Sequence, residues 1–169
     1  RFEVRGSAVR QDGTSASLTA PSGKAQQGLL HTALADSSCV ADDLALHEAH
    51  GTGTSLGDPI EAGALAAAVL SGRPPTVPSL RSGGVKASVG HAEPGAAMTG
   101  LVHLAVGLEE GVATANVQLR ILNHFVEGAL RSRGRGLPTG LATLAWTSMT
   151  STAGGRSCRR GGASATRRM

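Results

Sequence analysis

The sequence predicts an α/β fold in which helices cover a largely buried sheet, and two observations support this prediction. Short apolar runs typical of strands alternate along the chain with segments of helical period. The 169 residues are 40% apolar but only 2% aromatic, so alanine, leucine and valine must supply most of the core. Side chains of this size favour close packing of helices on a mixed sheet. The length suits one domain, which we place at residues 1–125.

The first elements are a strand, a helix and a second strand. Alternating residues predict a strand over residues 1–9, and a helix follows from about Lys24 to Asp36 with leucines on one face. Residues 44–49 indicate a short buried strand. We therefore expect the chain to reach its first functional loop at the end of this strand.

The next helix carries the clearest start signal in the sequence. A capping box is predicted, with Asp58 as N-cap, Pro59 at the first helical position and Glu61 at the third. The helix is expected to continue through the alanine-rich run to Leu70 and to stop at Gly72. These cap positions explain Asp58 and Glu61 better than a pair of catalytic acids does.

Two strands and a helix complete the predicted domain. We expect a strand over residues 83–88, a helix from about Pro94 to Glu110 and a further strand over residues 112–119. The early helical face is made of glycine and alanine, which allow the backbone to approach a neighbour closely. This face predicts a central, buried helix.

The C-terminal residues 126–169 differ from the rest of the chain in composition. They are rich in Arg, Gly, Ser and Thr, and from Gly128 onward they contain eight arginines and no acidic residue. The part before Gly128 has more acidic than basic residues, although the whole chain carries a net charge of +4. We expect a mildly acidic folded body followed by a poorly ordered basic tail.

Several classes of protein receive no support from the sequence. The two cysteines, Cys39 and Cys158, are far apart and in no metal-binding spacing. No apolar run is long enough to span a bilayer, so we expect a soluble, cytoplasmic protein. The chain starts at Arg1 rather than Met, in a strand-like pattern, and we expect it to be a piece of a longer protein.

Two histidines lie at strand-to-helix junctions and are the best candidates for chemistry. His50 follows the strand over residues 44–49 and begins a loop of alternating glycine and threonine, and His91 precedes the helix that starts near Pro94. Near a helix N-terminus we expect His91 to be a neutral imidazole that donates one hydrogen bond. Two such rings aimed at one point can stabilise negative charge on a carbonyl oxygen. Lys86 would add positive charge nearby.

Several motifs in order resemble one known family. They are the run from His50 to Thr54, the Lys86 and His91 pair, and the segments 4–9, 11–13, 18–21 and 58–61. Through these motifs the chain resembles the C-terminal half of the β-ketoacyl synthase family, especially ketosynthase domains of polyketide synthases. The resemblance covers roughly residues 4–123. It implies a thiolase-like half-domain.

The resemblance also implies an activity. The reaction would be the decarboxylative Claisen condensation of polyketide or fatty acid biosynthesis, with His50 and His91 stabilising the enolate and Lys86 supporting the charge network. Thr52 and Thr54 would line the pantetheine channel. No cofactor or metal would bind directly, because the substrates are tethered to the phosphopantetheine of an acyl carrier protein. The implied partners are this carrier protein, the missing N-terminal half of the ketosynthase and a second copy, since the family is usually homodimeric.

Three departures from the family pattern limit the implied activity. The nucleophilic cysteine of the family lies upstream and is missing, and Cys39 sits in a linker-like stretch unlike the nucleophile turn. Arg10 stands where the family usually has Asn. After Asn123 the expected Gly-Gly and Ser-Ser-Phe-Gly strand does not occur. We therefore expect a fragment that is inactive alone.

Two other functions remain open at this point. The chain could be a noncatalytic structural half-domain, or a binder of nucleic acid or another polyanion through its arginine tail, although that tail has a single aromatic residue and no recognisable module. A zinc site at His47 and His50 is not expected, because side chains three residues apart on a strand point to opposite faces. His31, His103 and His124 lack partner motifs and are interpreted as ordinary helix or loop residues.

Overall fold

A two-stranded parallel sheet with helices packed around it forms the centre of the computed structural model, which describes residues 2–17, 19–117 and 119–131. Strand β1 (Leu46–Glu48) pairs with strand β2 (Arg81–Gly83), with Leu46 opposite Arg81 and Glu48 opposite Gly83. The helices are α1 (Gly23–Ser37), α2 (Gly57–Leu65), α3 (Lys86–Val89), α4 (Ala96–Glu110) and α5 (His124–Arg131). The α/β class predicted from the sequence is therefore confirmed.

The first helix forms where the sequence predicts it. Helix α1 starts at Gly23, one residue before the predicted start, because the hydroxyl of Ser22 accepts a hydrogen bond from the Ala25 amide at 3.2 Å. It ends at Ser37, and the next residue, Ser38, adopts a left-handed backbone (φ 55°) and donates its amide to the Ala35 carbonyl. A side-chain cap therefore fixes the start of this helix, and a backbone hydrogen bond fixes its end.

The core lies between α1, α2 and the strand ends. Its centre consists of Leu65, Val69 and Leu80, and Val69 is only 1% exposed. The helix continues past α2 as a π-helical turn (Ala66–Leu70), in which the Ser71 amide bonds to the Ala66 carbonyl at 2.9 Å. The predicted continuation to Leu70 is thus confirmed, and the wider turn places Val69 in the core. The side chains that pack around this centre are Leu30, Leu34, Ala41, Leu44, Ala68 and Leu70.

The strand predicted over residues 1–9 is not present in the described residues 2–9. This segment instead lies along the C-terminal part of α1, where the Ser7 amide donates to Asp36 Oδ2 at 2.9 Å. Gly6 lies so close to the helix that a Cβ would be 2.6 Å from the Ala33 carbonyl oxygen. Alternation of side chains indicates a strand only when a sheet edge is available for pairing, and here the segment pairs with no strand among the described residues.

The later strands also differ from the prediction. The strand expected over residues 83–88 lies at 81–83, and the chain then turns into α3, so Lys86 is helical. Residues 112–117 form no strand, because Asn116 uses its side-chain oxygen to accept the Gly84 amide at 2.8 Å in place of ladder pairing. The strand expected over residues 44–49 is present but shorter, at 46–48.

Helix α4 begins within two residues of its predicted start and ends at Glu110, but it is not buried all round. Ala96, Gly100 and Gly107 form its buried face, and the helix packs on β1. Met98 is 63% exposed and Val102 is 54% exposed on other faces. The prediction of a central buried helix is therefore wrong for the described residues, because a sheet of two short strands covers only one side.

Helix α5 is the last element of the described residues. Helix α5 packs on α2, with the Cβ of Ala129 4.0 Å from the position that a Cβ at Gly63 would take. The predicted boundary at residue 125 falls inside this helix, and the remainder of the predicted basic tail, residues 132–169, lies outside the described residues. Among the described residues, no helix is both long and apolar enough to cross a membrane.

Candidate functional site

His50 begins a glycine-rich loop that two acidic side chains hold in place. The loop follows β1, and Gly51 (φ 46°) and Gly53 (φ 78°) adopt left-handed backbone angles that other residues rarely take. Glu61 accepts the amides of His50 at 2.6 Å and Gly51 at 2.9 Å, and Asp58 accepts the Gly53 amide at 3.2 Å. Helix α2 therefore anchors the loop through its first turns.

This arrangement overturns the predicted capping box. Helix α2 begins at Gly57, and its N-cap residue Leu56 makes no side-chain cap hydrogen bond. Asp58 and Glu61 are inside the helix and bind loop amides instead of amides of their own first turn. A capping box and an anchored loop use the same residue types, since both require a carboxylate near free backbone N–H groups.

His91 lies in the turn between α3 and α4, and its ring has a defined hydrogen-bonding state. Gly90 (φ 80°) reverses the chain after α3. The amide of Glu93 donates to His91 Nδ1 at 2.8 Å, so this nitrogen carries a lone pair and not a proton. In the neutral ring the proton is then on Nε2, where it can be donated to a ligand.

The rings of His50 and His91 are neighbours. Their centroids are 5.9 Å apart and their planes meet at 85°, so one ring presents its edge to the face of the other. Both residues are exposed at the surface of the described structure. The pairing of β1 with β2 and the turn after α3 thus bring together two histidines that are about 40 residues apart in the sequence.

A cavity of about 590 Å³ opens beside His50. Thr52 and Thr54 line it, together with Leu29 and Leu30 of α1. The residues that line it do not include His91 or Lys86. Of the five residues singled out in the sequence, three therefore line one cavity, His91 meets His50 by ring contact, and Lys86 lies in the first turn of α3, half-buried.

His47 is a residue whose environment the sequence did not indicate. It lies on β1 and also lines the cavity, and its Nδ1 is 2.9 Å from the hydroxyl of Ser82 on β2. Burial lowers the pKa of His47 below the ordinary value of 6.5, and the carboxylates of Glu61 and Glu48 oppose this shift without cancelling it. His47 is therefore a neutral hydrogen-bonding residue of the cavity wall. No group of three or more metal-ligating side chains occurs in the described part of the chain.

Glu48 and His103 form a second cluster that sequence reasoning missed. The Glu48 side chain is only 7% exposed, and its Oε2 is 2.8 Å from His103 Nδ1. The other ring nitrogen of His103 is 2.6 Å from the hydroxyl of Thr114. A carboxylate in a strand that the sequence predicts to be buried is itself a signal that a partner must be near, because an unpaired buried charge is strongly unfavourable.

Comparisons with known proteins give the same family as the sequence motifs. The profile of the family described as "Beta-ketoacyl synthase, C-terminal domain" matches residues 1–120. The chain is 48% identical over 109 residues to the pikromycin polyketide synthase component PikAII of Streptomyces venezuelae, an alignment that covers 64% of this chain and 3% of that protein. It is 45% identical over 116 residues to the phenolphthiocerol synthesis polyketide synthase type I Pks15/1 of Mycobacterium bovis, which covers 69% and 5%.

Solved structures give the same result for the fold. An oxazolomycin ketosynthase domain of Streptomyces albus superposes with a TM-score of 0.68 and 34% identity over 74% of this chain and 21% of that one. The ketosynthase from module 6 of the bacillaene synthase of Bacillus subtilis superposes with a TM-score of 0.65 and 26% identity, covering 72% and 22%. The predicted thiolase-like half-domain is confirmed, and the chain spans about a fifth of each of these two ketosynthase chains.

Proposed function

Because this chain belongs to the β-ketoacyl synthase family, through that family's C-terminal domain, we propose that it supplies the two-histidine part of a decarboxylative Claisen condensation site. The observation that carries the proposal is the edge-to-face pair of His50 and His91, with ring centroids 5.9 Å apart. Two N–H donors this close can approach one small anionic atom between them. The site would serve polyketide assembly, as in the polyketide synthases to which the chain is similar.

The proposed chemistry begins at a malonyl-type thioester. The bond between its carboxylate carbon and its α-carbon breaks, CO₂ leaves, and the electron pair passes into the thioester as an enolate. His50 and His91 hold the enolate oxygen by hydrogen bonds, which is favourable because the negative charge appears there only as the bond breaks. The α-carbon then attacks an acyl thioester, a carbon–carbon bond forms, and a cysteine thiolate supplied by the other part of the ketosynthase leaves.

The remaining predicted residues have supporting roles in this proposal. Thr52 and Thr54 face the 590 Å³ cavity and would contact the phosphopantetheine arm that presents the substrate. The Nε2–H form of His91 that follows from the Glu93 contact suits a donor to the thioester oxygen. Lys86, half-buried at the start of α3 and five residues before His91, would contribute positive charge to the site.

The proposed partners follow from the reaction and from the size of the chain. An acyl carrier protein would bring the malonyl group, and the N-terminal half of a ketosynthase domain would bring the nucleophile. Dimerisation with a second copy would follow the family's usual arrangement. The chain alone would catalyse no condensation.

Decarboxylation of malonyl carrier protein tests the proposal. The full 169-residue chain is combined with the N-terminal half of a ketosynthase domain, and CO₂ release is followed for the wild type, His50→Ala and His91→Ala. Removing one donor of this kind typically lowers the rate by ~100-fold to ~1000-fold. His31→Ala, an exposed position on α1, is the matched control and should not change the rate. Wild-type turnover that neither His50→Ala nor His91→Ala reduces, or no turnover by the wild type, would contradict the proposal.

A further inference from the structure

Glu48 is a buried carboxylate that bonds to two different segments of the chain. Its side chain, 7% exposed, accepts the Val85 amide on Oε1 at 2.7 Å. Its second oxygen, Oε2, accepts from His103 Nδ1 at 2.8 Å. Hydrogen bonds to an ionised acceptor are about twice as strong as neutral ones, so both are substantial at a buried site.

The Val85 bond ties together the two segments that carry the paired histidines. Glu48 is the last residue of β1 and stands two positions before His50. Val85 is the residue before α3, and α3 leads directly through Gly90 to His91. The parallel strand pair ends at Gly83, so the Glu48 side chain extends the connection beyond the sheet to the start of the His91 segment.

The surroundings hold the carboxylate in one position. His103 donates from Nδ1, and its Nε2 is in turn 2.6 Å from Thr114 Oγ1. A Cβ at Gly100 would lie 3.1 Å from Glu48 Cγ, so helix α4 leaves the side chain little space in which to move. The carboxylate is thus oriented by groups from α4 and from the segment that follows it.

We infer that Glu48, oriented by His103, is a positioning residue that sets the distance between His50 and His91. This inference rests on the proposed function for its catalytic meaning, but the geometry it concerns can be measured without any turnover. Glu48 itself touches no reacting atom. It acts by fixing the start of α3, because a displacement of about 1 Å at a catalytic group can lower a rate by ~100-fold.

The test is a nuclear Overhauser effect between ring protons of His50 and His91, measured on the full chain with labelled histidines. The wild type should show this contact, because the rings meet edge to face. Glu48→Ala should lose it, and Glu48→Asp should weaken it because the shorter side chain cannot reach Val85 and His103 together. Asp36→Ala is the matched control, since Asp36 also accepts one distant backbone amide, that of Ser7, but joins two segments that carry neither histidine.

Glu48→Gln separates positioning from a general loss of stability. Its amide oxygen can still accept the Val85 N–H, so the contact between the two rings should be retained. Its NH₂ group must then donate to His103 Nδ1, so His103 should change from the Nδ1–H to the Nε2–H tautomer, which the nitrogen shifts of the same sample report. In the decarboxylation assay, kcat should fall ~100-fold for Glu48→Ala with KM unchanged, and Glu48→Gln should restore most of it.

Three results would overturn the inference. They are a ring contact that persists in folded Glu48→Ala or is undiminished in folded Glu48→Asp, the same loss of contact in Asp36→Ala, and a loss in Glu48→Gln as large as in Glu48→Ala. If Glu48→Ala does not fold, as far-ultraviolet circular dichroism would show, Glu48→Asp and Glu48→Gln decide the question. A wild-type chain that shows the ring contact but releases no CO₂ would contradict the proposed function, while the comparison of variants would still decide the role of Glu48.

Discussion

Replacing Glu61 by Gln should loosen the loop that carries His50. The Glu61 carboxylate accepts two backbone amides, those of His50 at 2.6 Å and Gly51 at 2.9 Å. A glutamine offers one acceptor oxygen, and its NH₂ group would face the second amide, donor against donor. The substitution therefore removes one hydrogen bond, weakens the other by removing the charge, and leaves one amide without a protein acceptor.

The expected loss follows from the exposure of the two amides. The Gly51 contact is half-buried, and a hydrogen bond to a charged group there contributes about 1.5 kcal/mol or more. The His50 contact is exposed, so water replaces much of it and its contribution is about 0.5 kcal/mol. Losing both contacts would cost about 2 kcal/mol, and Glu61→Gln keeps one of them in weakened form, so we expect it to lower the free energy of unfolding by about 1 to 2 kcal/mol.

Asp58→Asn provides the internal comparison. Asp58 accepts one exposed amide, that of Gly53, at 3.2 Å. An asparagine oxygen can still accept this amide, so the substitution removes only the charge and should lower the free energy of unfolding by about 0.5 kcal/mol or less. Urea unfolding at neutral pH measures both changes, and amide hydrogen exchange at His50 and Gly51 should accelerate in Glu61→Gln only. Equal destabilisation by the two substitutions, or unchanged exchange at both amides, would refute the assignment of Glu61 as the loop anchor.

Three further predictions concern pH, the core and the packing of α4. Burial lowers the pKa of His47 below 6.5, so the His47 ring is protonated in the unfolded chain at a higher pH than in the folded chain, and the free energy of unfolding should decrease as the pH falls from about 6.5 through the lowered pKa. In urea unfolding, His47→Asn should flatten this part of the stability profile, and His31→Asn on the surface should not. Leu65→Ala should lower the free energy of unfolding by about 2 to 5 kcal/mol, because Leu65 is 4% exposed at the centre of the core. A loss below about 1 kcal/mol would mean that this core is not the one that stabilises the chain. Gly100→Ala should lower the free energy of unfolding by about 1 to 3 kcal/mol in the same assay, since its Cβ would be 3.1 Å from Glu48 Cγ and hydrogen bonds to Val85 and His103 prevent Glu48 from moving away. A stabilising effect of the added methyl group would contradict that packing.

The sequence alone determined the features that depend on neighbouring residues. Helix α1 begins within one residue and α4 within two residues of the predicted starts, because a serine cap and a proline each act within a single turn. The motif that begins at His50 and the Lys86 and His91 pair were sufficient to identify the family, since motif order and spacing are properties of the chain itself.

Only the tertiary structure decided which distant groups meet. The strand expected over residues 1–9 lies instead along α1, because a strand forms by pairing with an edge that the local sequence does not specify. Glu61 reaches back 11 positions to His50, and Glu48 reaches 55 positions to His103. Residue types limit what a side chain can bond, but the folded backbone decides which partner is within about 3 Å, and for that reason the anchors of this site became visible only in three dimensions.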